Sequence, residues 1–265
     1  MTKRPIARPQ QVRRTSRDVA LQLAIAAAAL GSTMLLARAL RDDNPPLIDR
    51  RARRVARSRP VRSMKKLLWP LFPLGLPGGY IAIAYATAHG LHRRGRSGGP
   101  AIVTSAWLGW LVHRAAKLVY TRRRPHRRGV KPRNDSYPSG HTTGATALAL
   151  TTAYVLRRRR LISLPGAVAI ASIAPTVMGV YRVIDDEHWA TDVAGGWLLG
   201  AAIALSCSAA LAESSGGAAR RFKASEASRT ASHRRGRSAR STSATEVDRG
   251  GFLGGRADIV RPSGR

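Results

Sequence analysis

Cysteine and acidic residues are scarce in this chain of 265 residues. The single cysteine, Cys207, excludes an intrachain disulfide and a metal site built from several cysteines. Only 14 Asp and Glu residues oppose 46 Lys and Arg residues, which gives a formal net charge of +32. Such a positive charge is typical of proteins that bind nucleic acid or lie at an anionic membrane surface. Aromatic residues do not interleave the basic stretches, which disfavours a nucleic-acid binder that stacks bases.

What the sequence does contain is a series of long apolar runs. A helix needs about 20 mainly apolar residues to cross the hydrocarbon core of a bilayer. Six runs approach or reach that length: 21–40, 67–88, 100–120, 142–156, 161–181 and 193–212. Six buried helices would leave too little polar sequence to cover the core of a soluble protein. The chain is therefore predicted to be an all-α, integral-membrane helical bundle with about six transmembrane helices, although the Ala-rich first run also fits a helix in the interface.

These runs divide the chain into three parts. Residues 1–20 form a basic N-terminal arm, residues 21–212 a membrane-embedded domain with its core at 67–212, and residues 213–265 a tail rich in Ser, Arg and Gly. The tail is predicted to be disordered, because it has too few large apolar residues to offset the chain entropy lost on folding. The basic segments are expected to lie against anionic lipid headgroups.

The loops between the runs are basic on both sides, so the positive-inside rule does not orient the bundle. The number of membrane crossings between two segments does predict whether they lie on the same face. Two runs, 142–156 and 161–181, separate segment 121–141 from segment 182–192, and two crossings return the chain to the same face. These two segments carry most of the polar residues suited to chemistry, and we expect them to meet.

The first polar motif ends the third apolar run. Lys117 and Arg124 are seven residues apart, which places both on one helical face near the membrane boundary. Pro125 disfavours helical geometry in the residue before it and marks the exit from the helix. Two converging cations suit a phosphate dianion, although Lys and Arg at helix ends also snorkel to the interface without binding anything.

The second motif, from Tyr137 to His141, opens the fourth run. Ser139 is a candidate N-cap, and Gly140 leaves its backbone N–H open to the close approach of an anion at a helix start. His141 follows, where it is placed to donate a proton. Taken alone, the motif also fits a plain helix entry with an interfacial histidine.

The third motif contains Arg182, His188 and Asp192. The last two are four residues apart, on one helical face, where a carboxylate fixes the tautomer of an imidazole and leaves its other nitrogen free to act. Arg182 adds a fork of donors for phosphate oxygens, although an ordinary ion pair at a helix start fits these residues too. The acidic residues 185–187 are interpreted as an exposed turn, since a phosphate site gains nothing from nearby negative charge.

Together, the three motifs resemble those of the type 2 phosphatidic acid phosphatase family, which is related to the lipid phosphate phosphatases and the vanadium haloperoxidases. The family patterns K-x6-R-P, P-S-G-H and S-R-x5-H-x3-D fall at 117–125, 138–141 and 181–192, in the family's order and between apolar runs. Tyr181 replaces the family's serine before the third-motif arginine, which leaves the shape of the phosphate pocket open. The resemblance covers about residues 67–212.

The resemblance implies a metal-independent phosphatase without a cofactor. His188 is then the nucleophile that forms a phosphohistidine, Asp192 orients it, and His141 is the general acid for the leaving group. The phosphate oxygens are held by a set of donors: Lys117, Arg124, Ser139, Gly140 and Arg182. Vanadate is expected to inhibit the reaction.

The implied substrate is a lipid phosphomonoester of the phosphatidate or phosphatidylglycerol phosphate type. A polyprenyl diphosphate of envelope synthesis, phosphoryl transfer instead of hydrolysis, and a membrane protein that binds without turnover are the alternatives. The resemblance further implies a bacterial plasma membrane with the active site on its extracytoplasmic face. The membrane itself and anionic headgroups are the expected partners, and no nucleic acid is expected.

Overall fold

The computed structural model describes residues 9–41, 44–125 and 135–214, with side chains from residue 16 onward. The described part of the chain is helical and forms no strand, apart from an isolated bridge between Arg122 and Asp135. The helices are α1 (Pro9–Ala39), α2 (Leu47–Ala56), α3 (Arg59–Leu68), α4 (Phe72–Gly75), α5 (Pro77–Arg93), α6 (Gly99–Val119), α7 (Gly140–Arg158), α8 (Leu164–Ile184) and α9 (Ala190–Ser214). A 3-10 turn at Trp69–Leu71 joins α3 to α4.

Each predicted apolar run coincides with helical structure, which confirms the all-α bundle. Three segments are long and apolar enough to cross a bilayer: Ser16–Ala39, α8 and α9. The segment Arg59–Gly75 and α5 pass the same test together as a fourth, although the chain bends by 66° between them. The positions of six helices thus agree with the prediction, whereas length and hydropathy identify three or four of them as spans.

Helix α7 does not need an apolar surface toward lipid, because its neighbours enclose most of it. Small residues allow this close packing. A Cβ atom at Gly144 would lie 2.4 Å from a ring carbon of Tyr80, and one at Gly200 would lie 2.5 Å from the Cβ of Thr146. At these two points the backbone of a glycine lies directly against a side chain of the facing helix. Helices α5 and α9 therefore pack closely on α7.

Large apolar side chains are exposed on the outer helices, where a soluble protein would carry polar residues. In a bilayer these side chains contact lipid, which is the physical reason for their exposure. On α1 and α8 they include Leu21, Ile25, Leu35, Leu164, Val168 and Ile173.

Helices α2 and α3 are attached to the turn between α8 and α9 by ion pairs. The Nε atoms of Arg53 and Arg57 lie 2.9 Å and 3.1 Å from the carboxylate of Asp186, and Lys65 pairs with Asp185. The basic loop 41–66 is thus largely helical, and it lies over the end of the bundle at which α8 and α9 meet.

Two predicted boundaries fall elsewhere in the structure. Helix α1 begins at Pro9, so residues 9–20 of the predicted N-terminal arm belong to this helix. The predicted disordered tail lies outside the described residues, except for its first two residues, which still belong to α9.

Candidate active site

The two polar segments meet at one end of the bundle. The indole Nε1 of Trp189 donates to the carbonyl of Arg123 at 2.8 Å, and Arg124 donates to the carbonyl of Glu187 at 3.1 Å. The N–H of Ser139 donates to the carbonyl of Asp192 at 3.1 Å, which joins the start of α7 to the start of α9. The loop after α6 and the turn before α9 therefore form one site.

His188 and Asp192 lie side by side at the start of α9. Their Nδ1 and Oδ2 atoms are 3.6 Å apart, longer than a hydrogen bond, and both side chains are buried. Catalytic hydrogen bonds are often long in a structure without substrate. Since Nδ1 faces the carboxylate, Nε2 is the ring nitrogen on the opposite side.

Burial is the main cause that lowers the pKa of His188, to about 4, and the nearby Arg182 and Arg124 lower it further, while Asp192 opposes the shift. The imidazole is therefore neutral at neutral pH. A neutral imidazole has a free lone pair, so His188 is in a state that can act as a nucleophile or a base.

The carboxylate of Asp192 is held by three donors apart from His188. The backbone N–H of Trp189 donates to Oδ2 at 2.8 Å, the hydroxyl of Ser136 donates to the same oxygen, and Nη1 of Arg122 donates to Oδ1 at 2.6 Å. Such a network fixes the orientation of the carboxylate and hence of the imidazole beside it.

Arg122 links Asp192 to a second buried carboxylate, which the sequence analysis did not identify. Its Nη2 lies 2.6 Å from Oδ2 of Asp49 on α2, and Asp49 also accepts from the backbone N–H and the hydroxyl of Thr191 at 2.9 Å and 2.7 Å. One signal for this role was present: Asp49 is the only acidic residue between 44 and 68, in a segment otherwise full of Arg and Lys.

Each of the three predicted phosphate-binding cations interacts with Asp135, with Glu187 or with both. Lys117 donates to the carbonyl of Asp135 at 2.6 Å, and Arg124 donates to the Asp135 carboxylate at 2.8 Å. Glu187 Oε2 lies 2.6 Å from Arg124 Nη1 and 3.5 Å from Arg182 Nη2. Arg124 and Arg182 thus share Glu187 as a partner, and Lys117 and Arg124 share Asp135.

The interpretation of residues 185–187 as an exposed turn is wrong. Their side chains are only 13%, 19% and 23% exposed, because each forms ion pairs. Negative charge at this position offsets the positive charge of the arginines gathered there. Glu187 lies between the guanidinium groups of Arg124 and Arg182, which also pair with Asp135 and Asp185.

His141 lies in the first turn of α7 beneath an aromatic ring. Phe72 on α4 stacks on its imidazole with ring centroids 5.3 Å apart. The guanidinium of Arg182 lies over the same Phe72 ring, 5.6 Å from its centroid. Tyr181, in the place of the family's serine, is buried and lies 5.7 Å from Phe72. The bend between α4 and α5 brings Phe72 to this position, a role that the sequence analysis did not predict.

Ser139 is the N-cap residue of α7, but its side chain makes no capping hydrogen bond; its Oγ accepts from the hydroxyl of Thr142 at 2.9 Å. The structure shows a further constraint at Gly140 that the sequence analysis did not identify. A Cβ at Gly140 would lie 2.5 Å from Nε2 of His113, so the imidazole of His113 leaves no room for a side chain. The first N–H groups of α7 have no partner within the helix, as at any helix start.

Two buried polar atoms of the site that do not face a carboxylate have no hydrogen-bond partner among the described residues: Nε of Arg182 and Nε2 of His141. Buried polar groups are normally paired, so unpaired ones at one site indicate groups that act on a ligand. The donors gathered here are cationic or imidazole nitrogens, which suits a phosphate dianion. In the ranges that the structure describes, no three His, Cys, Asp or Glu residues are arranged to hold a metal ion.

The comparisons with known proteins point the same way. The family model described as the PAP2 superfamily matches residues 22–214. The fold is similar to that of a solved protein described as the first transmembrane PAP2 type phosphatidylglycerolphosphate phosphatase from Bacillus subtilis. The TM-score is 0.58 at 20% sequence identity, and the alignment covers 68% of this chain and 92% of that one. The comparison with curated proteins gives no significant match.

Proposed function

Because the chain belongs to the PAP2 superfamily and is a membrane phosphatase, we propose that it hydrolyses a lipid phosphomonoester through a phosphohistidine on His188. The observation that supports this most directly is the neutral, buried imidazole of His188, 3.6 Å from the carboxylate of Asp192 and next to the paired guanidinium groups of Arg124 and Arg182.

In the first step, Nε2 of His188 attacks phosphorus and forms the N–P bond while the bond from phosphorus to the ester oxygen breaks. Burial, together with the charges of Arg182 and His188, lowers the pKa of His141 to about 2, and the negative charge of the bound phosphate offsets this and protonates His141. The protonated imidazole then gives its proton to the leaving alkoxide, a contribution of about 10²–10⁴ in rate. The imidazolium that forms is stabilised by Asp192, whose own position is fixed by Arg122.

The equatorial phosphate oxygens gain negative charge in the transition state. Arg124, Arg182 and Lys117 face them as fixed positive charges, and the N–H of Gly140 and the hydroxyl of Ser139 add neutral donors at the start of α7. To bind, the phosphate displaces Glu187 from the two guanidinium groups and takes its place. Arg124 and Arg182 thereby exchange their ion pairs with Glu187 for ion pairs with the substrate phosphate.

In the second step, a water molecule attacks the phosphohistidine. His141, now without its proton, accepts a proton from this water, the N–P bond breaks, and inorganic phosphate leaves. His141 is thereby protonated again for the next cycle. We assign phosphatidate or phosphatidylglycerol phosphate as the substrate type; a polyprenyl diphosphate and a phosphoryl acceptor other than water are the competing assignments.

The test is phosphate release by detergent-purified protein in EDTA, with phosphatidate, phosphatidylglycerol phosphate and undecaprenyl diphosphate as substrates. His188→Ala should abolish release, whereas His92→Ala, which removes an exposed histidine at the end of α5, should not. A ³²P label that is bound to wild-type protein, stable to base and lost in acid would identify the phosphohistidine. Release by His188→Ala at the wild-type rate would refute the mechanism.

We further propose that the site faces outward from a bacterial plasma membrane. Asn44→Cys, at the active-site end, should then react with a membrane-impermeant maleimide in intact cells, while Arg94→Cys, at the other end of α5, should react only after lysis. The reverse pattern would place the site on the cytoplasmic face. Native Cys207 is buried and serves as the background control.

A further inference from the structure

A second basic site lies beside the proposed catalytic one. A cavity of about 530 Å³ is lined by Pro45, Arg50, Arg53, Arg54, Arg57, Ser58 and Trp189. We propose that this cavity binds a second phosphate group, together with the polar atoms attached to it, while the first phosphate occupies the catalytic site. The proposal rests on the proposed function for the identity of that first phosphate.

Three of the four arginines lie on one face of α2, and the fourth, Arg57, is the residue directly after its last turn. Positions 50, 53, 54 and 57 follow the three- and four-residue spacing of a helix face, so their side chains project to the same side. No acidic residue lines the cavity. The guanidinium group is planar and matches two phosphate oxygens at once, which makes an arginine cluster a better phosphate site than a lysine cluster.

The four arginines have different tasks. Arg53 and Arg57 hold the carboxylate of Asp186 and thereby attach α2 to the turn before α9. Arg50 and Arg54 are exposed, and among the described residues neither has an ion pair or a side-chain hydrogen bond. The first pair therefore builds the cavity, and the second pair is available to a ligand.

Trp189 connects the cavity to the catalytic site. It lines the cavity and directly follows His188, the proposed nucleophile, in the chain. The guanidinium groups of Arg53 and Arg122 lie 5.3 Å and 5.7 Å from the centroid of its ring, and Arg122 also holds Asp192. The proposed catalytic site and the cavity are therefore built on adjacent residues of one turn.

The size of the cavity favours more than a bare phosphate ion. Sites for small organic ligands are typically about 300–1,000 Å³, and 530 Å³ falls within that range. A phosphate with an attached glycerol has the required charge and polarity. Two sources supply this chemistry: the second phosphate of the substrate itself, as in phosphatidylglycerol phosphate, or the headgroup of a separate anionic lipid beside the substrate.

The test compares two double variants with the same change in charge. Arg50→Gln/Arg54→Gln removes the two available arginines of the cavity. Arg59→Gln/Arg62→Gln removes two exposed arginines of α3 that do not line it. Each variant is purified in neutral detergent, and its melting temperature is compared with that of the wild type. Arg54→Gln alone serves as a milder variant if the double variant is unstable.

The first arm measures kcat/KM for phosphatidate and for phosphatidylglycerol phosphate in neutral micelles without other anionic lipid. If the substrate supplies the second phosphate, kcat/KM for phosphatidylglycerol phosphate divided by kcat/KM for phosphatidate falls by roughly tenfold in the cavity variant, as expected for one partly screened charge-assisted contact. The same ratio stays constant in the α3 variant.

The second arm measures phosphatidylglycerol bound to the inactive His188→Ala protein by native mass spectrometry, in the same two backgrounds. If a separate lipid supplies the phosphate, the cavity variant loses one bound lipid and the α3 variant keeps it. Equal effects of both variants in both arms, or no effect in either, would overturn the proposal and show an ordinary basic helix surface. If the wild type hydrolyses neither lipid, the proposed function fails, while the binding arm still decides the cavity.

Discussion

Asp49 on α2 and Arg122 after α6 form a buried ion pair, with 2.6 Å between Oδ2 and Nη2. The other end of the same guanidinium lies 2.6 Å from Asp192, so a helix outside the central bundle is connected to the proposed catalytic carboxylate through one side chain. Asp49 is therefore a positioning residue, since it acts on Asp192 through Arg122 and touches no reacting group.

Asp49→Asn should lower kcat and leave KM nearly unchanged. The amide keeps the shape of the side chain but removes the charge that holds Arg122, so Asp192 and His188 lose their fixed orientation. Loss of such an outer contact costs about 10–100-fold in activity. Steady-state kinetics on phosphatidate would show the split between kcat and KM.

Asp18→Asn, which changes an exposed carboxylate of α1, is the matched control. Breaking a buried ion pair also costs about 3–5 kcal/mol in stability, so the melting temperature of Asp49→Asn must be measured beside its activity. A variant with wild-type kcat and a lowered melting temperature would show that Asp49 serves stability alone.

The role of His141 is separable from that of His188 by the choice of leaving group. His141→Gln should lose about 10²–10⁴ in kcat/KM on an alkyl phosphate, because the alkoxide needs a proton as it leaves. An aryl phosphate such as p-nitrophenyl phosphate leaves as a stable anion and should be affected far less. His188→Ala should lose activity on both esters, and equal losses for both esters in His141→Gln would contradict the assignment of the general acid.

Much of the fold and of the site was predictable from the sequence, because the features concerned are local. Apolar runs indicate helices, and the four-residue spacing predicts that His188 and Asp192 meet. They do meet, although His188 lies in the turn before α9 and only Asp192 lies in the helix. The bend between α4 and α5 was missed although prolines mark it: run 67–88 was interpreted as one helix, whereas Pro77 begins a new one after Leu76, whose backbone is extended. Phe72 reaches His141 because of that break.

Arg122 shows why the rest was not predictable. It stands in a run of three arginines, 122–124, and local pattern does not distinguish a residue that faces a buried carboxylate from one that faces phosphate. Arg122 pairs with Asp49 and Asp192, which lie 73 and 70 positions away in the sequence, while Arg124 pairs with Asp135 and Glu187. Only the packing of α2 over the bundle end separates these roles.

Glu187→Gln should tighten the binding of phosphate analogues. Glu187 competes with the ligand for Arg124 and Arg182, and the neutral amide competes less. The inhibition constant of vanadate should fall severalfold in this variant, as expected when a charge-assisted contact of about 1.5–3 kcal/mol no longer has to be broken in full. Glu213→Gln, at an exposed position of α9, is the control. Weaker vanadate binding would show that Glu187 orders the arginines more than it blocks them.

The pKa of His188 gives a prediction about pH with a definite sign. Burial lowers this pKa to about 4 in the folded protein, whereas an unperturbed histidine titrates near pH 6.5. Between about pH 6.5 and pH 4 the unfolded chain therefore binds the proton and the folded protein does not. Folding stability from this group is fully present above about pH 6.5 and is lost as the pH falls toward 4.

The titration of His188 can be followed directly by NMR of ¹³C-histidine-labelled protein in detergent micelles, with His188→Asn identifying the resonance. A midpoint near pH 4 is expected, with the imidazole neutral throughout the neutral range. A midpoint near pH 6.5 would show that the ring is solvated and charged in mildly acidic solution, and the proposed nucleophile would then lack the buried environment on which its reactivity depends. The same variant, compared with wild type by thermal unfolding, should lose part of the acid sensitivity of the melting temperature, because the proton uptake on unfolding at this position is removed.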